Sequence, residues 1–506
     1  MKARLSARLV AGALASTLAL SLGGCFLLPT ATEVPSESYG GDFAQYFDQS
    51  LSWQPCGGVD CADMTVPIDW SDPDSDSVTI ALARQNASGA SQGTIFANPG
   101  GPGGSGVDFV QYAVSEQLAS SFDVVAWDPR GVGASTQVTC FDGAAKDESL
   151  YGTFNSDYLT DGWIDELESD SADFAAACEK NTGAVLGKVD TVSTANDLEL
   201  MRYLVTGDAP LDYIGYSYGT FIGAVYADIF PEHVGKFVLD GAVDPTLDAF
   251  DTLLVQMTGF ESGFRAYMAD CLANADCPFT GTLEQALAQA HALIETVDDL
   301  ALEGDDGRVL DSATVGTATA MALYSESSWP YLTDVFVGIA GSNPEPSFFL
   351  ADYYNDRDGD GSYASNSVEV YQATTCLDND FAADEKTTIE RVNEIAAAAP
   401  TIGQFLAYDD FAVLDVMCSN WPYPPAELPD SYDAPGAAPI LVVGTSNDPA
   451  TPYSWAVSLA EQLSSGILVS VEGEGHTAYN GDNVCVNSVV DNYFLEGAVP
   501  QTDPRC

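Results

Sequence analysis

A serine between two glycines, Gly-Tyr-Ser-Tyr-Gly at residues 215–219, constrains the fold of this chain more than any other feature. It follows the apolar run Leu-Asp-Tyr-Ile and precedes a helical pattern, so it predicts a sharp strand-to-helix turn that exposes the serine. Flanking glycines tolerate the strained backbone of such a turn. We therefore predict that Ser217 is a nucleophile, and that the amide of Tyr218, at the start of the helix, stabilises a developing oxyanion.

Short apolar runs recur on both sides of this turn, as in the strands of one sheet. Between them lie turn-rich loops and helical patterns, of which residues 193–205 are the clearest example. Alternation of strands with helices predicts an α/β protein with a mostly parallel sheet. The predicted strands are residues 64–67, 78–83, 94–97, 124–127, 211–214, 237–239, 440–443 and 467–470.

A long segment interrupts this alternation. Residues 246–434 are rich in Ala and Leu and carry helical patterns such as residues 283–300. We predict that this segment is a helical cap inserted into an α/β core made of residues 42–245 and 435–506. A cap over the strand ends would enclose Ser217 and select the substrate.

The general base can be chosen from three histidines. Hydrolases with a serine turn of this kind take their base from a histidine late in the sequence, after the acid. His476 lies in a glycine-containing loop after the last predicted strand, so we predict that it is the base. His233 ends the helix after the nucleophile, and we interpret it as a surface residue. His291 lies in an Ala-rich helical pattern, and we interpret it as structural.

The acid that orients the histidine is expected at a strand end before His476. Asp448, in Asn-Asp-Pro-Ala-Thr-Pro after the strand at 440–443, has this position and is favoured. Asp240 and Asp244 follow the preceding strand and remain rivals, because some hydrolases of this type carry the acid there.

A second oxyanion donor is expected in the loop after the strand at 94–97. Residues 98–106, Asn-Pro-Gly-Gly-Pro-Gly-Gly-Ser-Gly, have that place, and glycines let an amide approach a substrate oxygen closely. Gly101 is our candidate donor. A phosphate-binding loop is disfavoured because no Gly-Lys-Ser/Thr follows.

The N-terminus predicts export. Three basic residues precede an apolar run at 9–22 and then Gly-Gly-Cys, which is typical of a bacterial lipoprotein signal. We predict that residues 1–24 are the signal, that Cys25 is the acylated residue, and that residues 25–41, rich in Pro, Ser, Thr and Glu, are a tether. A plain secretory signal is the alternative. The protein would then be exported, either at the cell surface or secreted.

Cysteine usage agrees with an oxidising compartment. Setting Cys25 aside, an even number remains of the eleven in the chain. No Cys-x-x-Cys or Cys/His spacing of the zinc type is present, so we predict no metal bound by thiols. Sequential pairing is our hypothesis among the many connectivities: Cys56 with Cys61, Cys140 with Cys178, Cys271 with Cys277, Cys376 with Cys418, and Cys485 with Cys506.

The balance of charge excludes some partners. Lys and Arg number 16 against 75 Asp and Glu, a formal net charge of −59. Nucleic acid is therefore not an expected partner, and we expect contact with a membrane only through a lipid anchor. The acidic residues are spread along the chain, which indicates solubility more than a dedicated binding surface for cations.

Several motifs together resemble a known family. Pro-Gly-Gly-Pro-Gly at 99–103 is similar to the His-Gly-Gly-Pro-Gly loop of proline iminopeptidases, with proline in place of histidine. With four further motifs, the chain from Trp53 to Cys506 looks like the secreted tripeptidyl aminopeptidases of bacteria. These motifs are Asp-Pro-Arg-Gly-Val-Gly-Ala-Ser at 128–135, Gly-Tyr-Ser-Tyr-Gly-Thr at 215–220, Leu-Asp-Gly at 239–241 and Asp-Pro-Ala-Thr-Pro at 448–452.

The resemblance implies an α/β-hydrolase fold and an exopeptidase that removes short peptides, such as tripeptides, from a free N-terminus through an acyl-enzyme. Such an enzyme needs a carboxylate for the substrate ammonium. Asp378 is our candidate, because a neighbouring disulfide would hold it and the family has a similar Cys-x-Asp. A solvated surface acid is the competing interpretation.

No cofactor is expected. Asp356, Asp358 and Asp360 have the spacing that opens a calcium loop, but position twelve is Ser367 rather than Glu, so an exposed acidic turn is favoured over a calcium site. Two other functions stay open. An esterase or lipase would use the same catalytic residues, whereas a non-catalytic binding lipoprotein would leave the ordered Ser, Asp and His unexplained.

Overall fold

A computed structural model describes residues 41–381, 385–406 and 414–506. The predicted signal at 1–24, Cys25 and all but the last residue of the tether lie outside the described residues. Within the described residues, eleven strands occur: β1 (Gln54–Cys56), β2 (Val59–Pro67), β3 (Ser77–Gln85), β4 (Thr94–Asn98), β5 (Asp123–Trp127), β6 (Leu211–Tyr216), β7 (Val234–Asp240), β8 (Leu302–Glu303), β9 (Val309–Leu310), β10 (Ile440–Asn447) and β11 (Gly466–Glu474).

Nine of these strands form one sheet in the order β1-β2-β3-β5-β4-β6-β7-β10-β11, within the ranges just given. The pairings β1/β2, β2/β3 and β3/β5 are antiparallel. All pairings from β5 to β11 are parallel, so the carboxyl ends of β4, β6, β7 and β10 meet at one edge of the sheet. The expectation of a mostly parallel α/β sheet is confirmed.

Successive side chains along each strand point to opposite faces of the sheet. Tyr213 and Phe237 enter a core formed with helices on one face. Ile214 and Val238, one residue further along each strand, enter a second core on the other face. Burial on both faces explains why these strands appear in the sequence as short apolar runs rather than as alternating patterns.

Helices cover both faces and fill the segment between β7 and β10. They are α1 (Ala44–Phe47), α2 (Gly106–Phe109), α3 (Glu116–Ala119), α4 (Gly143–Tyr151), α5 (Asp161–Thr182), α6 (Thr191–Thr206), α7 (Tyr218–Ile229), α8 (Ala249–Ala273), α9 (Leu283–Glu295), α10 (Val297–Leu300), α11 (Ser312–Leu323), α12 (Trp329–Ala340), α13 (Glu345–Tyr354), α14 (Ser367–Asp378), α15 (Glu385–Ala398), α16 (Gly403–Leu406), α17 (Leu414–Ser419), α18 (Tyr453–Gln462) and α19 (Val484–Glu496).

The helical insertion runs from α8 to α17 and includes the hairpin β8/β9. Helices α8 to α13, α15 and α16 share a core of their own, whereas α14 and α17 pack into a core of the sheet. Met257, Phe264 and Phe336 are among the fully buried side chains of the insertion's own core. Asp248 caps the first helix by accepting the amide of Asp251, and Thr282 forms a capping box with Gln285 at the start of α9. Most of the insertion therefore packs around its own apolar residues, while Val370 and Leu377 of α14 join it to the core of the sheet.

Five disulfides are present among the described residues. Each disulfide joins two cysteines that are consecutive among the cysteines of the described chain, as in the sequential pairing of our hypothesis. The bonds are Cys56–Cys61, Cys140–Cys178, Cys271–Cys277, Cys376–Cys418 and Cys485–Cys506. Cys376 lies near the end of α14 and Cys418 in α17, so this bridge fixes two helices of the insertion to each other. In the described part of the chain, no helix combines the length and the apolar character needed to cross a bilayer.

Candidate active site

Ser217 occupies a tight turn between β6 and α7. Its backbone has φ 53° and ψ −126°, a conformation that residues other than glycine seldom adopt. Its amide donates to the carbonyl of Asp240 at 2.9 Å, which fixes the turn to the end of β7. A Cβ atom on Gly215 would lie 2.3 Å from the carbonyl oxygen of Gly219, so the first glycine is required for the helix to begin directly after the strand.

His476 and Asp448 form a hydrogen-bonded pair at the same edge of the sheet. Nδ1 of His476 lies 2.9 Å from each carboxylate oxygen of Asp448. Nε2 is buried and has no hydrogen-bond partner among the described residues. A ring held through Nδ1 with a free Nε2 is the arrangement that a general base requires.

Asp448 is held by the loop that follows β10. Its Oδ1 accepts the amides of Ala450 and Thr451, and its Oδ2 accepts the hydroxyl of Thr451 and the amide of Thr477. The hydroxyl of Thr451 also lies 3.2 Å from Nδ1 of His476. Sequence reasoning missed this role of Thr451, although an Asp followed three residues later by Thr is a signal of such a turn.

The charge of the pair sets the pKa of His476. Burial lowers this pKa, but the negative charge and hydrogen bonds of Asp448 outweigh burial, with Asp240 contributing in the same direction, so the pKa is raised above 6.5. An imidazolium formed during proton transfer is therefore stabilised in this site.

The two rival acids have other partners. Asp240 accepts the amides of Ala478 and Tyr479 and so holds the loop that carries His476. Burial raises the pKa of Asp240 to about 6, against these hydrogen bonds. Asp244 accepts hydrogen bonds from Thr246 and Gln462. Of the three aspartates, the structure joins Asp448 to the Nδ1 atom of the histidine.

The glycine-rich loop after β4 packs directly against the turn between β6 and α7 that carries Ser217, which we call the nucleophile turn. A Cβ atom on Gly100 would lie 2.9 Å from Cβ of Ser217 and 3.1 Å from the amide nitrogen of Tyr218. Gly101 has φ 113°, a conformation open to glycine. On its other side the loop touches the insertion, since a Cβ on Gly103 would lie 2.6 Å from the carbonyl oxygen of Ser367. The loop is therefore fixed between the core and the insertion.

The motif at 128–135 supports this loop. Asp128 accepts the hydroxyl of Ser105 and the amides of Val107 and Ala134. Arg130, also buried, forms a bidentate pair with Asp197. These charged residues thus hold backbone in place rather than face the substrate.

Asp378, at the end of α14, lies against the start of α6. Its Oδ1 accepts the amide of Thr191 at 2.9 Å and its Oδ2 accepts the Thr191 hydroxyl at 2.6 Å. Burial raises the pKa of Asp378 to about 7, with a further contribution from the charge of Asp190. The carboxylate therefore has partners inside the protein, and its contact with a substrate ammonium stays a prediction.

The remaining candidates form local contacts. Asp356 accepts the hydroxyl of Ser365, and Asp360 accepts the amide and hydroxyl of Ser362. Among the described residues, no group of three or more His, Cys, Asp or Glu side chains is placed to hold a metal ion. His233 lies 3.0 Å from Glu199, and His291 lies 2.9 Å from the carbonyl oxygen of Thr401.

The fold and this site define a serine hydrolase of the α/β-hydrolase class. The chain is 35% identical over 483 residues to the serine protease Hip1 of Mycobacterium tuberculosis, covering 90% of this chain and 91% of that protein. A family model described as TAP-like protein matches residues 404–506. The chain therefore belongs to the tripeptidyl aminopeptidase family.

Other relatives bear different names. Carboxylesterase B of Mycobacterium tuberculosis is 35% identical over 459 residues, covering 88% of this chain and 86% of that protein. Tripeptidyl aminopeptidase of Streptomyces coelicolor is 28% identical over 477 residues, covering 90% and 86%. The family thus includes proteins named as peptidases and one named as an esterase.

Proposed function

We propose that the protein is an exported serine exopeptidase that releases short peptides, tripeptides above all, from free N-termini. Ser217 is the nucleophile, His476 the general base and Asp448 the residue that orients the base. The amides of Gly101 and Tyr218 stabilise the oxyanion. The observation that carries the proposal is the His476–Asp448 pair, with both carboxylate oxygens 2.9 Å from Nδ1 and with Nε2 free among the described residues.

The reaction follows from this arrangement. Oγ of Ser217 attacks the scissile carbonyl carbon while Nε2 of His476 takes the hydroxyl proton. The tetrahedral intermediate collapses, the proton passes to the departing amine, and the acyl-enzyme remains. Water then attacks the ester with His476 again as base, which frees the short peptide and restores Ser217.

Hydrolysis of tripeptide anilides tests the proposal. An exopeptidase that recognises an N-terminal ammonium cleaves the free tripeptide anilide and rejects its N-acetylated form, because the buried site would leave the amine-binding group unpaired. Ser217→Ala should abolish hydrolysis while the protein stays folded. Equal rates on the free and acetylated substrates would contradict exopeptidase specificity, and a library of peptides would give the number of residues removed.

An esterase is the second candidate, and the relative named Carboxylesterase B favours it. The same catalytic residues would act on an uncharged acyl ester. Comparing kcat/KM for a nitrophenyl ester and a tripeptide anilide separates the two functions, since an esterase would prefer the ester and gain nothing from a free amine. Labelling of Ser217 by a fluorophosphonate excludes a non-catalytic binding protein.

Export as a lipoprotein belongs to the same proposal. The predicted signal and the five disulfides of the described residues support it, because disulfides persist outside the reducing cytosol. A labelled fatty acid fed to the producing bacterium should be incorporated into the protein, and Cys25→Ser should remove the label. Incorporation unchanged in Cys25→Ser would contradict acylation at this residue.

A further inference from the structure

A chain of short hydrogen bonds leads from the insertion to the residue after the nucleophile. Asp378, the last residue of α14, accepts the hydroxyl of Thr191 at 2.6 Å, and the same hydroxyl oxygen lies 2.5 Å from the hydroxyl oxygen of Tyr218. A threonine hydroxyl carries one proton. When Asp378 is ionised, its carboxylate can only accept, so Thr191 donates to Asp378 and Tyr218 donates to Thr191.

The surroundings keep this chain rigid. Thr191 is fully buried and Asp378 is 7% exposed. The amide of Thr191 donates to the second oxygen of Asp378 at 2.9 Å, so the carboxylate accepts two hydrogen bonds from the first residue of α6. The ring of Tyr218 packs edge-on against Phe221, which in turn contacts Tyr432. The side chain of Tyr218 is thus fixed at its hydroxyl as well as along its ring.

We propose that Asp378 is a positioning residue for the oxyanion hole, acting through the hydroxyls of Thr191 and Tyr218. The inference rests on the proposed function, in which the amide of Tyr218 is an oxyanion donor. A donor stabilises the transition state only when it is aimed at the developing charge beforehand. Fixing the side chain of Tyr218 fixes the backbone that carries this amide.

The proposal also gives the insertion a part in the reaction. Asp378 belongs to the insertion, whereas Thr191 and Tyr218 belong to the α/β core. Asp378 lies two residues from Cys376, whose disulfide with Cys418 anchors the end of α14. The oxyanion donor is therefore in place only when α14 is docked on the start of α6.

Kinetics of three variants on two substrates test the proposal. Asp378→Asn, Thr191→Val and Tyr218→Phe each interrupt the chain while keeping the shape of the side chain. We expect each to lower kcat by about tenfold with little change in KM. A misdirected amide stabilises the transition state less, whereas substrate binding does not depend on it. The substrates are a tripeptide anilide with a free amine and a nitrophenyl ester without one.

Two matched variants control for a merely structural role. Thr191→Ser keeps the hydroxyl and should retain the wild-type kcat. Thr374→Val removes a bond from α14 to the segment just before α6, in which the Thr374 hydroxyl donates to the carbonyl of Val189 at 3.1 Å, but leaves the chain to Tyr218 intact. It should lower the midpoint of thermal unfolding without lowering kcat. If Asp378→Asn does not fold, Thr191→Val and Tyr218→Phe decide the question.

The substrate pair separates the possible failures. An unchanged kcat in Tyr218→Phe and Thr191→Val overturns the positioning role. A KM raised by Asp378→Asn for the free-amine substrate alone, with the ester unaffected, also overturns it and assigns Asp378 to the substrate ammonium. If the wild type cleaves only the ester, the proposed exopeptidase function fails, while the ester kinetics still decide the role of Asp378.

Discussion

Gly100 shows how little space the nucleophile turn leaves. A Cβ atom there would lie 2.5 Å from the carbonyl oxygen of Tyr216 and 2.9 Å from Cβ of Ser217, and the backbone has φ +97°. We predict that Gly100→Ala lowers kcat/KM by at least about a hundredfold, because the loop must move away from the amide of Tyr218. Steady-state hydrolysis of a tripeptide anilide measures the effect.

Gly183→Ala is the matched control for backbone strain alone. Gly183 has φ +76°, but nothing lies within 4 Å of the position of a Cβ atom. This variant should lose about 1 kcal/mol of stability and keep its activity. Similar losses of activity in both variants would show that the contact of Gly100 with the nucleophile turn is unimportant.

The raised pKa of His476 predicts the pH dependence of the reaction. Nε2 can accept a proton only when the imidazole is neutral, so kcat/KM should fall as the pH drops through the pKa of His476. Because Asp448 raises that pKa, the midpoint of the acid limb should lie above 6.5. The profile is measured on an ester without an amine, since an α-amino group titrates at about 8. A midpoint below 6.5 would contradict the arrangement described.

Ser217 and His476 could be chosen from the sequence because a turn motif and chain order leave few candidates. The choice of the acid could not be settled in the same way. β7 and β10 are neighbours in the sheet, so Asp240 and Asp448 reach the same edge. Which of them contacts Nδ1 depends on the loops around them. Apart from the hydroxyl of Thr451, those loops hold Asp448 through backbone amides, which any sequence supplies.

At the scale of elements, Arg357 links the insertion to the core. It forms two hydrogen bonds to Asp147 of α4, at 2.7 and 2.8 Å, and lies within 4 Å of Asp306 and Asp352. We predict that Arg357→Gln lowers the free energy of unfolding by about 2 kcal/mol, because the partly buried Asp147 loses the cation that pairs with it, whereas Asp306 and Asp352 keep Arg308. Denaturant unfolding measures the change.

Arg265→Gln is the control at the surface of the insertion. Arg265 pairs with Glu284, and the two side chains are 38% and 71% exposed. Such a pair contributes about 0.5 kcal/mol or less. Equal losses for the two variants would mean that Arg357 is no more than a surface ion pair.

The predicted strands all fall within observed ones, because strands buried on both faces must be apolar. β1 was missed, since it has three residues, includes Pro55 and is largely exposed. Contacts between elements could not be predicted from the sequence either. Arg357 and Asp147 are 210 residues apart, and one charged residue among many acids gives no sign of its partner.

At the scale of the whole molecule, the formal charge of −59 opposes compactness. We predict that raising NaCl from about 10 mM to about 150 mM at neutral pH raises the midpoint of thermal unfolding, because the Debye length falls from about 30 Å to about 8 Å and repulsion is screened. The gain should shrink as the pH approaches the isoelectric point of about 4.1. A lower midpoint in salt would mean that ion pairs outweigh repulsion.

The place of the insertion in the chain has a consequence for biosynthesis. Ser217 emerges from the ribosome before the insertion, whereas Asp448 and His476 emerge after it, and Cys506 must still reach Cys485. A nascent or truncated polypeptide therefore carries the nucleophile without its base. Under the proposed roles, the polypeptide acquires hydrolytic activity only after the residues that follow the insertion have been translated and folded.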